Sequence, residues 1–202
     1  MEIVEIYKMF TGIVEIIGRV IEVEDSDEGR RIQIEMKGSE DLEDGVSICV
    51  SGVCLTVETH GNDKFSAFLS KETLMCSNLR YLEENSAINL ERAMKIDGRF
   101  DGHIVQGHVD TVAKVVGINK IGGDWEYEFE LPEKFDRYMV KKGSITVDGI
   151  SLTIADISND KFSVAIIPST YSNTTLNGLK IGRVVNIEVD ILAKYIEKML
   201  KQ

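Results

Sequence analysis

Few side chains in this 202-residue chain can act as a base or a nucleophile near neutral pH. The candidates are Cys49, Cys54 and Cys76, with His60, His103 and His108. Cys54 lies in the octet "VSGVCLTV" at 50–57. Nearly the same octet, "VDGISLTI", returns at 147–154, an offset of 97 (147 − 50), with Ser151 where the first copy has cysteine. On a strand, successive side chains point to opposite faces. Val53, Leu55 and Val57 then share one face, with Cys54 and Thr56 on the other. Ile150, Leu152 and Ile154 face one way in the second copy, with Ser151 and Thr153 opposite. The chain thus carries two related but unequal polar faces, thiol and hydroxyl on one, two hydroxyls on the other.

Each of these residues also has an ordinary reading. A lone cysteine is most often a small buried hydrophobe, and threonine is a plain strand former. His103 and His108 in "GHIVQGH" suggest metal ligation, but a spacing of five puts them on opposite faces of a strand and apart on a helix. No metal site is expected. His60 in "THGND" reads as a solvated turn residue. The cysteines are odd in number with no C-x-x-C pair, which suits a reduced compartment.

The elements that position these faces follow from a longer repeat. "DKFS" at 63–66 recurs at 160–163, Thr73 meets Thr170, Leu79 meets Leu176, and "AINLE" at 87–91 meets "VVNIE" at 184–188, all offset by 97. Upstream, "GIVEIIGRVIEV" from Gly12 meets "GHVDTVAKVVGI" from Gly107, an offset of 95 (107 − 12). The change from 95 to 97 implies two extra residues in a loop of the second copy. Such a period means a duplicated domain rather than a solenoid of short repeats. Each half alternates apolar and polar residues in short runs rich in Val, Ile, Phe and Thr, separated by turn signals. Asp148-Gly149 within such a run is a two-residue hairpin signal. The expected fold is mainly β, two tandem six-stranded antiparallel barrels, since closure removes exposed sheet edges. Side chains fill small barrels, so the site belongs in a groove between barrels, where the polar faces point.

The expected domains are 1–102, 103–188 and a C-terminal helix over 189–202. That helix carries Ile191, Leu192, Tyr195, Ile196, Met199 and Leu200 on one face, which must pack on the barrels or on copies of itself. A net charge of −11 argues against a nucleic-acid partner. No apolar run is long enough to span a membrane, and "MEIVEIYKMF" is no signal peptide, so a cytoplasmic protein is the default expectation.

"MFTGIVE" at 9–15, "GVCLTV" at 52–57, "KET" at 71–73, "GHIVQGHVD" at 102–110, "KGSITVDGISLT" at 142–153 and the closing "AKYIEKML" together resemble the alpha-chain riboflavin synthases over essentially the whole chain. The resemblance implies a homotrimer of paired six-stranded Greek-key barrels joined by the terminal helices. It implies a dismutation without metal or organic cofactor: one 6,7-dimethyl-8-ribityllumazine gives a four-carbon unit to a second, yielding riboflavin and 5-amino-6-ribitylamino-uracil. Two copies of one substrate then explain two copies of one fold, and their different roles explain the Cys-to-Ser change. The resemblance leaves association with a lumazine synthase shell open.

By motif, the resemblance carries catalytic roles onto Cys54, Ser47, His108, Lys142 and Asp148. Cys54, Ser47 and Thr56 are expected on the N-terminal side; His108, Lys142, Asp148, Ser151 and Thr153 on the C-terminal side. His108 is the candidate base, and Cys54 a candidate nucleophile or positioning group, with water or a ribityl hydroxyl as alternatives. Substrate contacts are expected from Gly12, Ile13 and Val14; from Leu55 beside Cys54; and from Phe68, Leu69, Ser70, Lys71, Glu72 and Thr73. The second set is Gly107 and Val109, Leu152 between Ser151 and Thr153, and Ala165, Ile166, Ile167, Pro168, Ser169 and Thr170. The chain departs from the pattern in having Val53-Cys54 where two cysteines are common, Ser169 where glutamate is common, and eight residues before "MFTGIVE". A non-catalytic lumazine- or flavin-binding protein of the same fold is the rival reading. The flavin barrel of an oxidoreductase would need an adjoining nicotinamide domain, for which this chain has no room.

Overall fold

Alternating apolar residues that need a common interior fold here into two closed barrels of six antiparallel strands each. The structure is a computed structural model and describes residues 9–95, 97–158 and 160–201; the eight-residue extension lies outside them. The first barrel comprises β1 (Ile16–Ser26), β2 (Gly29–Glu35), β3 (Ser47–Val50), β4 (Val53–Gly61), β5 (Lys64–Ser70) and β6 (Ala87–Arg92). The second comprises β7 (Thr111–Ile121), β8 (Asp124–Glu130), β9 (Ser144–Val147), β10 (Ile150–Ile157), β11 (Lys161–Ile166) and β12 (Val184–Val189). The strands follow one Greek-key order, β1-β2-β5-β4-β3-β6, repeated as β7-β8-β11-β10-β9-β12.

The repeat extends to irregularities. The pairing shifts between Val20 and Glu22 and between Val57 and Thr59, and again between Val115 and Gly117 and between Ile154 and Asp156. These are equivalent positions, where an extra residue bends the strand so that a small sheet can close. The two additional residues of the second copy fall between β8 and β9, where residues 131–143 replace residues 36–46.

Each octet is a strand–turn–strand unit. Ser51 and Gly52 turn β3 into β4, and Asp148 and Gly149 turn β9 into β10, all with positive φ, as a tight primed hairpin requires. Val53, Leu55 and Val57 fill the first barrel, and Ile150, Leu152 and Ile154 the second. Cys54 and Ser151 are half-buried on the outer face, and Thr56 and Thr153 are exposed there. Short helices α1 (Lys71–Cys76) and α2 (Pro168–Asn173) follow β5 and β11. Ser70 caps α1 by accepting from Thr73 N–H at 3.1 Å, and Pro168 opens α2 at a position where its missing N–H costs nothing.

The terminal helix α3 (Ile191–Leu200) is capped by Asp190, whose carboxylate accepts from Leu192 N–H at 2.9 Å. Its polar side docks on the second barrel: Lys194 pairs with Asp110 at 2.6 Å, and Glu197 accepts from Arg137 and Tyr138. Leu192, Tyr195, Ile196, Met199 and Leu200 are left exposed. No helix among the described residues is long and apolar enough to cross a membrane.

Candidate functional site

The two octet turns meet back to back. A Cβ on Gly52 would lie 2.9 Å from Gly149 N, and one on Gly149 would lie 2.7 Å from Gly52 N. Both positions therefore need glycine for the turn and for the approach of the two backbones. Paired asparagines tie this joint together. Asn89 Nδ2 donates to Asp148 O at 2.9 Å, and Asn186 Nδ2 donates to Ser51 O at 2.8 Å. Their Oδ1 atoms accept from Thr175 N–H and Asn78 N–H. The pattern repeats under the offset of 97, so the barrels are related by an approximate twofold through Gly52 and Gly149.

Asp148 is part of this joint. Its Oδ1 accepts from Asn186 N–H at 2.7 Å and from Asn78 Nδ2 at 2.9 Å. Burial pushes its pKa up to about 7, against the pull of those donors and of Arg183. Its carboxylate, expected among the catalytic groups, is enclosed by the barrel–barrel contact, because the hairpin that presents it is the point where the barrels touch.

The segments that precede each barrel are exchanged. Phe10 and Val105 pair as an isolated antiparallel bridge. Beyond it, Gly12 O accepts from Ser151 N–H at 2.7 Å, on the second barrel, and Gly107 O accepts from Cys54 N–H at 2.8 Å, on the first. Val14 packs on the second barrel's core and Val109 on the first barrel's. A buried glutamate of the home barrel holds each leader. Glu91 accepts from Thr11 N–H at 2.6 Å, Thr11 Oγ1 at 2.8 Å and Gly12 N–H at 3.0 Å. Glu188 accepts from Gln106, Gly107 and His108 N–H at 2.7, 3.0 and 3.1 Å. Burial raises the pKa of both carboxyls while the backbone donors oppose it. Neither glutamate was singled out as functional from sequence; the signal available was their shared place at the end of the matched "AINLE" and "VVNIE".

Two candidate half-sites result, one on each barrel's outer face. The first brings together Cys54, Thr56 and Ser47 with Gly107 and the exposed His108, whose Nδ1 lies 3.0 Å from Gln106 O. His108, expected on the C-terminal side, thus lies beside Cys54 on the first barrel, because its leader crosses over. The Ser47 hydroxyl is buried and has no hydrogen-bond partner. It borders an 850 Å³ cleft that Thr11, Ile13 and Arg92 also line. The second half-site has Ser151, Thr153 and Ser144, with Gly12 and the exposed Ile13 in the places of Gly107 and His108.

His103, which its spacing separates from His108, is buried over this second half-site. Its Nδ1 lies 2.7 Å from Ser151 Oγ and its Nε2 3.1 Å from Thr146 Oγ1. Burial lowers its pKa, so the neutral ring serves as donor to one hydroxyl and acceptor from the other. His60 lies at the end of β4 rather than in a turn and is exposed. Lys142 is exposed in a left-handed turn, and its N–H donates to Ile154 O at 2.8 Å.

The remaining predicted contacts divide by burial. Leu55, Leu69, Leu152 and Ile166 fill barrel interiors and can present only backbone to a ligand. Phe68 and Ser70 end β5, and Lys71, Glu72 and Thr73 open α1. Ala165 is the penultimate residue of β11, the exposed Ile167 precedes α2, and Pro168, Ser169 and Thr170 form its first turn. No group of three or more His, Cys, Asp or Glu residues able to hold a metal occurs among the described residues.

A family profile described as Lumazine binding domain matches the chain twice, at residues 11–93 and 106–190. Riboflavin synthase of Actinobacillus pleuropneumoniae is 43% identical over 193 residues, 95% of this chain and 90% of that protein. Riboflavin synthase of Mycobacterium bovis is 44% identical over 201 residues, 96% and 98% of the two chains, and that of Saccharomyces cerevisiae 42% over 205 residues, 95% and 86%. The solved structure of LumP complexed with riboflavin superposes with a TM-score of 0.83 at 24% identity, covering 90% of this chain and 99% of that one; the complex with 6,7-dimethyl-8-(1'-D-ribityl) lumazine gives 0.81 at the same identity and coverage. With both barrels matched and whole-chain identity above 40%, the chain belongs to the riboflavin synthase family of duplicated lumazine-binding domains.

Proposed function

We propose that this chain is a riboflavin synthase that transfers a four-carbon unit between two molecules of 6,7-dimethyl-8-ribityllumazine. The observation that carries the reading is the inequality of two otherwise equivalent half-sites. One has a thiol at Cys54 beside the imidazole-bearing His108; the other has a hydroxyl at Ser151 beside the aliphatic Ile13. Two identical ligands held in such frames meet different chemistry, as a donor and an acceptor must. Two lumazines contain the atoms of riboflavin and 5-amino-6-ribitylamino-uracil together, so no outside reagent is consumed.

In this reading His108 takes a proton from the acidic 7-methyl group of one lumazine. Cys54 adds to C7 of the other, or holds the group that does. Ser47, with its unpartnered hydroxyl, and Thr56 bind the ring on one side; Ser151, Thr153 and Lys142 bind on the other. Phe68–Thr73 and Ala165–Thr170 supply equivalent strand-end and helix-start contacts. Asp148, Glu91, Glu188 and His103 act as positioning residues that fix the joint, the leaders and the Ser151 hydroxyl. Stacking both rings in one geometry replaces a bimolecular encounter by an oriented one, which supplies much of the acceleration.

Both half-sites are open in a single chain. The first half-site of one copy facing the second of another would close them, and the exposed apolar face of α3 is suited to join three copies. The proposed working form is a homotrimer in the cytoplasm. The direct test is to give the purified protein the lumazine alone, without metal or nucleotide. Riboflavin at half the molar amount of substrate consumed is the expected result. Tight lumazine binding without riboflavin would leave a ligand-carrying relative instead.

A further inference from the structure

The outer face of the first barrel carries a second sulfur. Cys49 on β3 stands directly across from Cys54 on β4. The pair is one step from the Ser51-Gly52 turn, and Cys54 N–H points away from β3 to Gly107 O. This is the non-hydrogen-bonded kind of antiparallel pair, in which Cα atoms stand about 4.5 Å apart. A disulfide spans Cα separations of roughly 4.4–6.8 Å, so the backbone already lies at the short end of that range. Both side chains point out of the barrel into one small cluster with Phe10, Val105 and Ala93. The equivalent pair in the second barrel is Thr146 and Ser151, which one imidazole bridges, so at this place in the fold the two side chains point toward a common neighbour.

We propose that Cys49 and Cys54 form a reversible redox pair, closed to a cross-strand disulfide by peroxide. Cys54 is the half-buried member and Cys49 the buried one. Burial pushes the Cys49 thiol well up, and the Glu91 carboxylate across β6 adds to this. Cys54 therefore reacts first. Its thiolate displaces hydroxide from hydrogen peroxide and becomes a sulfenic acid, the proton lost from the thiol and the hydroxide together making one water. Cys49 then gives up its proton and attacks the Cys54 sulfur, expelling the sulfenic oxygen as a second water. The two thiols lose two electrons, and peroxide is reduced to two waters. A bond across adjacent strands this close is strained, which raises its potential and makes it easily reduced. The disulfide chemistry stands apart from the proposed function; only its effect on turnover rests on that reading.

The test uses the full-length protein with the exposed Cys76 replaced (Cys76→Ser) to exclude bridges between copies. The folded protein is exposed to hydrogen peroxide, alkylated without reductant and digested with trypsin. The expected product is the peptide covering 38–64, two hydrogens lighter and unalkylated, with no backbone fragments between positions 49 and 54. Dithiothreitol should return both thiols to the alkylator. A Cys49→Ala variant should stop at sulfenic or sulfinic acid on Cys54, with no lightened peptide. If Cys54 in the parent protein is over-oxidised or remains alkylatable while Cys49 stays a thiol, the proposal is overturned. Riboflavin formation measured in parallel should fall with disulfide content and return on reduction; an unchanged rate with the disulfide present would count against the role of the Cys54 thiol, not against the pair.

Discussion

Replacing Gly107 by alanine tests the exchange of leaders. Gly107 has φ +72, and a Cβ there would lie 2.6 Å from Cys54 Cβ and 2.7 Å from Cys54 N. The left-handed backbone alone costs an L-residue about 1–2 kcal/mol, of which the lower entropy of the unfolded alanine chain offsets about 0.4–1 kcal/mol, leaving a net loss of about 1 kcal/mol. The collision adds to this. Ordinary contact begins near 3.4 Å, so the leader must retreat by about 0.8 Å (3.4 − 2.6) from a strand to which Gly107 O is bonded at 2.8 Å. Overpacking of this kind costs about 1–3 kcal/mol. Gly45 supplies the control: its φ is +86, but no atom lies within 4 Å of a Cβ built on it. Gly45→Ala should therefore lose about 1 kcal/mol, and Gly107→Ala about 2–4 kcal/mol. Urea unfolding at one fixed protein concentration measures both, and riboflavin formation well below the transition reports the displaced His108. Equal losses in the two variants would refute the claim that the leader's contact with Cys54 is tight and structural.

Three further outcomes follow from the buried titratable groups and the helix. Asp148 has its pKa raised to about 7 in the folded chain, so the folded state holds a proton that the unfolded state releases near 4; stability should fall as pH rises from about 4 to 7, by at most ~4 kcal/mol for three pKa units. Asp148→Asn keeps an acceptor for Asn186 N–H and should flatten that decline in urea titrations at several pH values; an unchanged slope would locate the effect elsewhere. His103 has the opposite sign: its pKa is lowered by burial, so stability is lost as pH falls through the unfolded value near 6.5, and His103→Gln should lessen this acid sensitivity. Ile196→Glu places a charge in the exposed apolar face of α3, and sedimentation velocity should show single chains in place of the proposed trimers, with riboflavin formation lost at the same time.

The barrels were legible in the sequence because strand alternation and a fixed offset are local signals. Val53, Leu55 and Val57 announce their common face, and Asp148-Gly149 announces its turn. The exchange of leaders was not legible, since it rests on backbone carbonyls at Gly12 and Gly107 meeting N–H groups of the opposite barrel. That contact has no side-chain signature beyond the two glycines. It also moved His108 to the side of Cys54, away from the barrel that follows it in sequence. The place of His103 over Ser151 was not legible either, because residues 101–110 form an irregular connection with a single bridge at Val105 rather than one regular element. Asp148 has turn chemistry that sequence reveals and a buried carboxylate that only the opposing barrel creates. Cys49 stands apart: its partner is fixed by the two-residue turn, so the pairing could have been counted from sequence once the hairpin was recognised.

Because each leader roofs the opposite barrel, the order of synthesis matters. When the ribosome has made only the first barrel, Cys54 N–H has no carbonyl to receive it, and Thr11-Gly12 has no Ser151 on which to rest. The nascent domain thus carries one open strand edge and one loose strap until residues 107 and 151 emerge. Once both are made, melting either barrel uncovers the other. The finished chain should unfold in a single calorimetric transition, although its sequence is plainly two domains.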